Sequence, residues 1–518
     1  MHLTQGLHRS LQQRANELAT VFGGRRQTWR TLAERVARLA GALVSSGLKP
    51  GERVAVIALN SDRYLEAFYA VAWAGGVIVP GNTRWALGEH AYGLTDAGVR
   101  FLLVDATFAG LIAPLRQACP AIEAIYLGDG EAPPGALAVE ELIATSVPIE
   151  DRCARDDALM GIFYTGGTTG HPKGVMLSHR NVVSSCFYSL ASLRFHSAPV
   201  YLHAAPMFHV ADAGVTVTMT MLGATHVAIP SFNAEAAVRA IVAEGVTEIL
   251  LVPTMFGILH QYLVSHTADL SSVRNVIYGA SPITESLLKK AMEIFPNAAF
   301  YQGYGQTELS PAATLLMPEF HFPRENGKSY LRSAGRAMVG VDLKIVDETL
   351  AQRPHGEVGE VAVRSDGVML GYWGEPELTR QTIVDGWVRT GDAGYMDEEG
   401  FLFLVDRMKD MIVSGGENIF SAEVENALSS HADVLECAVI GVPDDEWVER
   451  VHAVVRLKSG SRADQAELIA HCRTLIAGYK VPRTIEFRDE PLPLSAAGKV
   501  LKTELRKPYW PQGGRGVN

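Results

Sequence analysis

The sequence predicts an α/β protein of more than one domain, and three observations carry that expectation. Helix-like segments alternate with short apolar runs over roughly the first 330 residues, the pattern of helices layered on buried sheets. From about residue 331 the texture changes to short strand-like runs between Gly and Asp turns, and after Arg407 it changes again to mixed helix and strand. At 518 residues with 47% hydrophobic content, the chain is too long for one compact core.

Taken in order, residues 31–44 place Leu32, Val36, Leu39 and Leu43 at helical spacing, and the PGER turn then leads into VAVIAL at 54–59, a short strand. Further apolar runs follow at 77–80 (VIVP), 101–104 (FLLV), 125–127 (IYL), 225–230 (THVAIP) and 248–253 (EILLVP). The β-rich lobe, about 331–406, contains LKIV, GEVAV and FLFLV. Beyond it, 421–428 reads as a helix with acids in its first turn, 438–442 and 453–457 as strands, and 464–477 as a helix with Leu468, Ile469, Cys472, Leu475 and Ile476 on one face. Residues 407–518 thus form a compact α+β domain after a large domain over 1–406.

A formal net charge of −11 argues against a general nucleic-acid or anionic-membrane surface, which needs clustered basic excess. The five cysteines (Cys119, Cys153, Cys186, Cys437, Cys472) include no CxxC pair and read as reduced structural thiols. The N-terminal residues lack an apolar signal core, so a cytoplasmic location is expected. The stretches around 66–83 and 213–233, poor in charge, read as buried sheet and helix rather than membrane spans, leaving at most peripheral membrane contact. A homodimer is left open.

Residues 164–175, YTGGTTGHPKGV, concentrate the chemistry. Thr165, Thr168 and Thr169 offer hydroxyls, Gly166, Gly167 and Gly170 let backbone amides approach closely, and Lys173 adds an ammonium, so donors converge on a small anion such as a polyphosphate. A Gly/Thr/Pro cluster is also the composition of an ordinary surface loop. It is not a GxxxxGK[ST] loop, because Gly174 follows Lys173.

Three weaker signals lie downstream. In YQGYGQTE (301–308) two tyrosines could stack on a purine and Glu308 could hold magnesium, though taken alone a Gly/Tyr turn explains it better. Asp392 in the TGD turn could accept from ribose hydroxyls with Arg407 donating nearby, or could simply cap a hairpin. Lys499 follows Ala-Ala-Gly, a flexible approach, and alone reads as a solvated charge.

Taken together, YTGGTTGHPKGV, YGQTE, RTGD, DRMKDMIVSGGENI and the terminal GK, in this order, resemble the adenylate-forming superfamily of acyl-CoA synthetases, carrier-protein adenylation domains and beetle luciferases. The resemblance spans nearly the whole chain. It implies a large N-terminal domain of two α/β subdomains plus the β-rich lobe, followed by a small mobile C-terminal domain. Thr165 to Gly170 and Lys173 would bind ATP phosphates, with Thr165 and Glu308 near magnesium. Gly279, Ala280 and Ser281, with Gln302, Gly303, Tyr304, Gly305 and Thr307, would enclose adenine, while Asp392 and Arg407 would hold ribose. Gly166 stands where the family more often has serine, which removes one hydroxyl donor.

The resemblance also implies the reaction. A carboxylic acid and ATP give an acyl-adenylate and pyrophosphate, with Lys499 stabilising the charge that gathers in the transition state. The C-terminal domain would then rotate about Lys409, bringing the loop of Ser414, Gly415, Gly416 and Glu417 toward coenzyme A. Trp447 would stack the coenzyme's adenine and Lys480 and Arg483 would meet its phosphates, although Trp447 reads equally as core packing. His209, Val210, Ala211 and Gly214 in PMFHVADAG, with Phe232, Gly305 and Ser310, would form the acyl pocket, and Asp212 reads as a helix cap. Asp212 lies three residues past the position where amino-acid-activating relatives carry an aspartate, so amino acids are not the expected substrates. Only 19 residues follow Lys499, so no fused carrier domain is expected and coenzyme A is the favoured acceptor over a separate carrier protein. A medium- or long-chain fatty acid is the first expectation, an aryl or other small acid the alternative, and a non-catalytic nucleotide or acyl sensor the reading from a different class.

Overall fold

The computed structural model describes residues 1–510 except 166–171, 282, 326, 408, 409, 415, 416, 445 and 495–499, and the side chains of 406, 407, 417 and 418 also fall outside the described set. Contacts divide the chain into two units, residues 1–343 with 363–388, and residues 344–362 with 389–518.

The α/β expectation holds element by element. Thr28 caps the helix Trp29–Ser45 by accepting from the Thr31 amide, and Leu32, Val36, Leu39 and Leu43 are all fully buried on it. The apolar runs form strands Arg53–Ile57, Val77–Pro80, Val99–Val104 and Glu123–Tyr126, which join one parallel array in an eight-stranded sheet. Its far edge turns antiparallel, where strand Leu159–Thr165 folds back as Lys173–Ser178 and then pairs with the two-residue strand Gly371–Tyr372.

A nine-stranded sheet holds Thr225–Ala228, Val200–His203, Glu248–Leu251, Asn275–Gly279 and Ala299–Tyr304 as parallel neighbours. Helices Ala234–Glu244, Pro253–Leu263 and Glu285–Ile294 cover one of its faces, sealing a core that includes Phe256, Tyr278, Phe295 and Phe300. The helix Asp62–Trp73 is buried along its whole length, and its charges are paired there. Arg25 makes two hydrogen bonds to Asp62 (2.8 and 2.6 Å), and Arg35 two to Glu66 (2.6 and 3.0 Å). No helix among the described residues is long and apolar enough to cross a membrane.

The strands expected after residue 331 form a five-stranded sheet of Asp342–Val346, Gly359–Arg364, Trp387–Met396, Ile383–Val384 and Leu402–Arg407. In the C-terminal part, Val434–Asp444 and Val448–Leu457 pair antiparallel over an apolar core that takes in Val424, Leu428, Leu468 and Cys472. One expectation is corrected here. The helix predicted over 464–477 ends at Arg473, so Leu475 lies beyond it and is exposed.

Candidate active site

The motif expected to bind phosphate is flanked by the two strands of a hairpin. Thr165 ends strand Leu159–Thr165 and Lys173 opens strand Lys173–Ser178, and the two are register partners across the antiparallel pair. Gly166, Gly167, Thr168, Thr169 and Gly170, the loop between them, lie outside the described residues. The hairpin is braced by Tyr164, whose hydroxyl donates to Asp96 at 2.5 Å. Gly174 leaves room for the side chain of Trp373, whose amide donates to the Gly174 carbonyl at 2.8 Å.

Glu308 reaches the same place from the other sheet. It follows strand Ala299–Tyr304 in a short 3₁₀ turn, and its Oε1 accepts from the Tyr372 hydroxyl at 2.8 Å. Tyr372 pairs with Val175 on the hairpin strand, and the Lys173 ammonium lies 5.7 Å from the centroid of its ring. Thr165, Lys173 and Glu308 are therefore gathered by Tyr372, a residue the sequence reading did not single out. A Gly-Tyr pair after a turn carries no signal of its own; only the sheet order brings it there.

The motifs expected to enclose a nucleotide lie at the carboxyl ends of parallel strands, where open α/β sheets bind ligands. Gly279 and Gly303 are register partners at the ends of Asn275–Gly279 and Ala299–Tyr304, so close that a Cβ on Gly279 would lie 2.1 Å from the Gly303 carbonyl oxygen. Ala280 follows with φ +65, a left-handed conformation disfavoured for a side-chain-bearing residue, and Ser281 continues the turn. Gln302 faces Tyr278, whose hydroxyl is 3.4 Å from its Oε1 and 2.9 Å from His321 Nε2. Burial lowers the His321 imidazole to about 4, so it is neutral and accepts from Tyr278 while Nδ1 donates to Met317. The two-tyrosine reading is corrected: Tyr301 is buried in the core with its hydroxyl accepting from the Arg194 amide, which leaves only Tyr304 at the strand end to flank a base. Thr307, next to Glu308, is buried.

The acyl-pocket candidates converge in part. His209 is the N-cap of helix Val210–Leu222, its Nδ1 accepting from the Ala211 amide at 3.3 Å. Gly214, on that helix, has Pro311 so near that a Cβ would lie 2.9 Å from its ring. Gly305 lies against the Pro311 carbonyl, and Ser310 has φ +62 with its buried hydroxyl unpartnered among the described residues. Phe232 packs instead against the apolar core of the nine-stranded sheet.

Asp212 is not the cap. It is the third residue of the helix, within the first turn and buried, and accepts from the Tyr201 hydroxyl at 2.6 Å and from His203 Nδ1 at 2.7 Å.

In the second unit, Asp392 and Arg407 are register partners on neighbouring antiparallel strands, and Asp392 is buried. Ser414 ends strand Ile412–Ser414 opposite Glu417 and Val448. Trp447 is half-buried with the Arg483 guanidinium over its ring at 4.8 Å, so two of the three coenzyme candidates meet. Lys480 is engaged elsewhere, its ammonium paired with both oxygens of Glu423 at 2.8 Å. Lys409, Gly415, Gly416 and Lys499, with the side chains of Arg407 and Glu417, lie outside the described residues.

The chain matches the model of the AMP-binding enzymes over residues 7–373 and that of their C-terminal domain over 423–499. The chain belongs to the AMP-binding enzyme family. Within it the chain stands in the acyl-CoA ligase branch, the AMP-forming acid–thiol ligases. It is 38% identical over 492 residues to a feruloyl-CoA synthase from Amycolatopsis sp, covering 95% of this chain and 96% of that one. It is 36% identical over 488 residues, 93% of each chain, to the long-chain-fatty-acid–CoA ligase FadD13 of Mycobacterium tuberculosis. Among solved structures, it is similar to the o-succinylbenzoate CoA synthetase from Bacillus subtilis in complex with its acyl-adenylate intermediate, with TM-score 0.84, 28% identity and 98% of each chain covered.

Proposed function

We propose that this AMP-binding enzyme joins an apolar carboxylic acid to coenzyme A in two half-reactions at one site. The carboxylate attacks the α-phosphate of ATP, giving acyl-adenylate and pyrophosphate, and the coenzyme A thiol then displaces AMP to form the thioester. The observation that carries the reading is the path from Thr165 and Lys173 through Tyr372 to Glu308, beside strand ends whose glycines give a planar base close backbone approach.

Each residue's work follows from its chemistry. Lys173 supplies positive charge beside the loop that holds the phosphates. Asp392, opposite Arg407, accepts from ribose hydroxyls. Lys499 offsets the charge of two anions forced together. A hydroxyl and a carboxylate are hard oxygen donors, so Thr165 and Glu308 suit magnesium, which would neutralise phosphate charge when bound. Tyr372 orients Glu308 for that role. His209 lies at the mouth of the acyl pocket formed with Val210, Ala211, Gly214, Gly305 and Ser310. Rotation about Lys409 exchanges Lys499 for the loop at Ser414, and Trp447 with Arg483 receives the coenzyme's nucleotide.

A medium- or long-chain fatty acid remains our first reading for the acid. The similarity to a feruloyl-CoA synthase supports the aryl alternative. Pyrophosphate release should be measured with aliphatic, branched and aromatic acids, each with and without coenzyme A, for the wild type and Lys499→Ala. The reading expects one acid class to turn over with coenzyme A, and the variant to lose about a thousandfold in adenylation. Lysine-independent release, or binding of ATP without turnover of any acid, would count against it.

A further inference from the structure

Away from the active site, the first residues of the chain close over the connector that leads into strand Leu159–Thr165. The Leu3 amide donates to His179 Nδ1 at 3.1 Å, which pins the segment in place. There His2, Asp151 and Cys153 each present a donor atom, and all three atoms lie within 4.8 Å of one another.

The carboxylate at the centre is built in. The Asp151 side chain is 3% exposed, and its Oδ2 accepts from the Thr4 hydroxyl at 2.5 Å and lies 2.7 Å from His8 Nε2. Oδ1 accepts from the Cys153 amide at 2.8 Å. Cys153 itself adopts φ +48, a conformation unfavourable for a side-chain-bearing residue, and this backbone carries its sulfur beside Asp151.

We propose that His2, Asp151 and Cys153 form a binding site for a zinc-class divalent cation, with His8 as fourth ligand or as the partner that orients the carboxylate. One nitrogen, one oxygen and one sulfur donor make a borderline-soft set that suits zinc and disfavours magnesium or calcium, which take oxygen alone. A histidine bonded to a ligating carboxylate is the usual outer support of such a centre. Binding is simple substitution: the Cys153 thiol releases its proton to solvent and the thiolate sulfur donates its electron pair to the cation, with no change of oxidation state. The cation would staple the N-terminal segment to the connector and leave the ligase chemistry to other residues.

The test uses the full chain beginning at Met1, without an affinity tag and stripped with a chelator. Dialysis against micromolar free zinc, followed by metal analysis, should give one zinc per chain, and zinc should raise the thermal unfolding midpoint. Cobalt(II) in its place should show a sulfur-to-metal charge-transfer band. Cys153→Ser should abolish that band, and Cys153→Ser and His2→Gln should each weaken zinc binding at least about tenfold. Cys119→Ser should change neither. Unfolding in chelator, equal for wild type and variants, shows that the variants fold. Substoichiometric zinc, a cobalt complex without the sulfur band, or undiminished affinity in Cys153→Ser overturns the proposal.

Discussion

The Tyr372 hydroxyl donates to Glu308 Oε1 at 2.8 Å, and this bond joins the hairpin of one sheet to the strand-end turn of the other. A hydrogen bond to a charged acceptor contributes about 1.5–3 kcal/mol. Tyr372→Phe keeps the ring near Lys173 and removes only the hydroxyl, so adenylation should slow roughly ten- to a hundredfold with the unfolding midpoint little changed. Pyrophosphate-release kinetics beside a thermal melt check this, and an unchanged kcat would mean that Glu308 needs no such orientation.

A second buried arrangement should govern stability. Asp212 accepts from Tyr201 and His203, and His203 Nε2 lies 2.9 Å from His226 Nδ1, whose other nitrogen is 3.2 Å from the Thr220 hydroxyl. Burial holds His226 well below its ordinary range, so its imidazole is neutral and donates through one nitrogen while accepting through the other. Asp212→Ala strands two buried donors and should cost about 3–5 kcal/mol in urea unfolding. Asp212→Asn keeps one acceptor and should cost less; equal losses would argue that packing, and not the donor chain, is what matters.

What the sequence made legible follows from which interactions are local. Helix Trp29–Ser45 and the buried strands announce themselves by spacing, because one face of each must be apolar to join a core. Asp212 misleads for the converse reason. Its local sequence reads as a helix cap, yet in the fold it forms a row with Thr216 and Thr220 that meets His203 and His226 on neighbouring strands. Motifs alone nominate Thr165, Lys173 and Glu308, whereas Tyr372 depends on a two-residue strand whose partner lies almost two hundred positions earlier in the chain.

Glu248 should make stability pH-dependent. It is buried between the His196 amide and Asn275, and burial raises its carboxyl from an ordinary 4.5 to about 7. Between those values the folded state binds a proton that the unfolded state has released. Stability from this group is therefore full below the unfolded value and falls as pH rises toward the folded one, by on the order of 3 kcal/mol in all. In Glu248→Gln that dependence should vanish, and urea unfolding from about pH 5 to about pH 8 should show wild type losing ground to the variant. Parallel pH profiles would contradict it.

The paired glycines separate architecture from ligand contact. A Cβ on Gly279 meets the Gly303 carbonyl oxygen at 2.1 Å, and backbone there cannot give way, so Gly279→Ala should destabilise by about 1–3 kcal/mol whatever the site binds. Among the described residues a Cβ on Gly303 meets nothing closer than the Leu315 side chain at 3.8 Å, so alanine is expected to fit, and a shortened set of unfolded conformations should leave stability equal or about 0.4–1 kcal/mol higher. If Gly303 is open because a nucleotide lies against it, Gly303→Ala should weaken ATP binding in calorimetry while the melt stays level. A variant that binds ATP as well as wild type would move the base away from this strand end and leave Gly279 as a purely structural glycine.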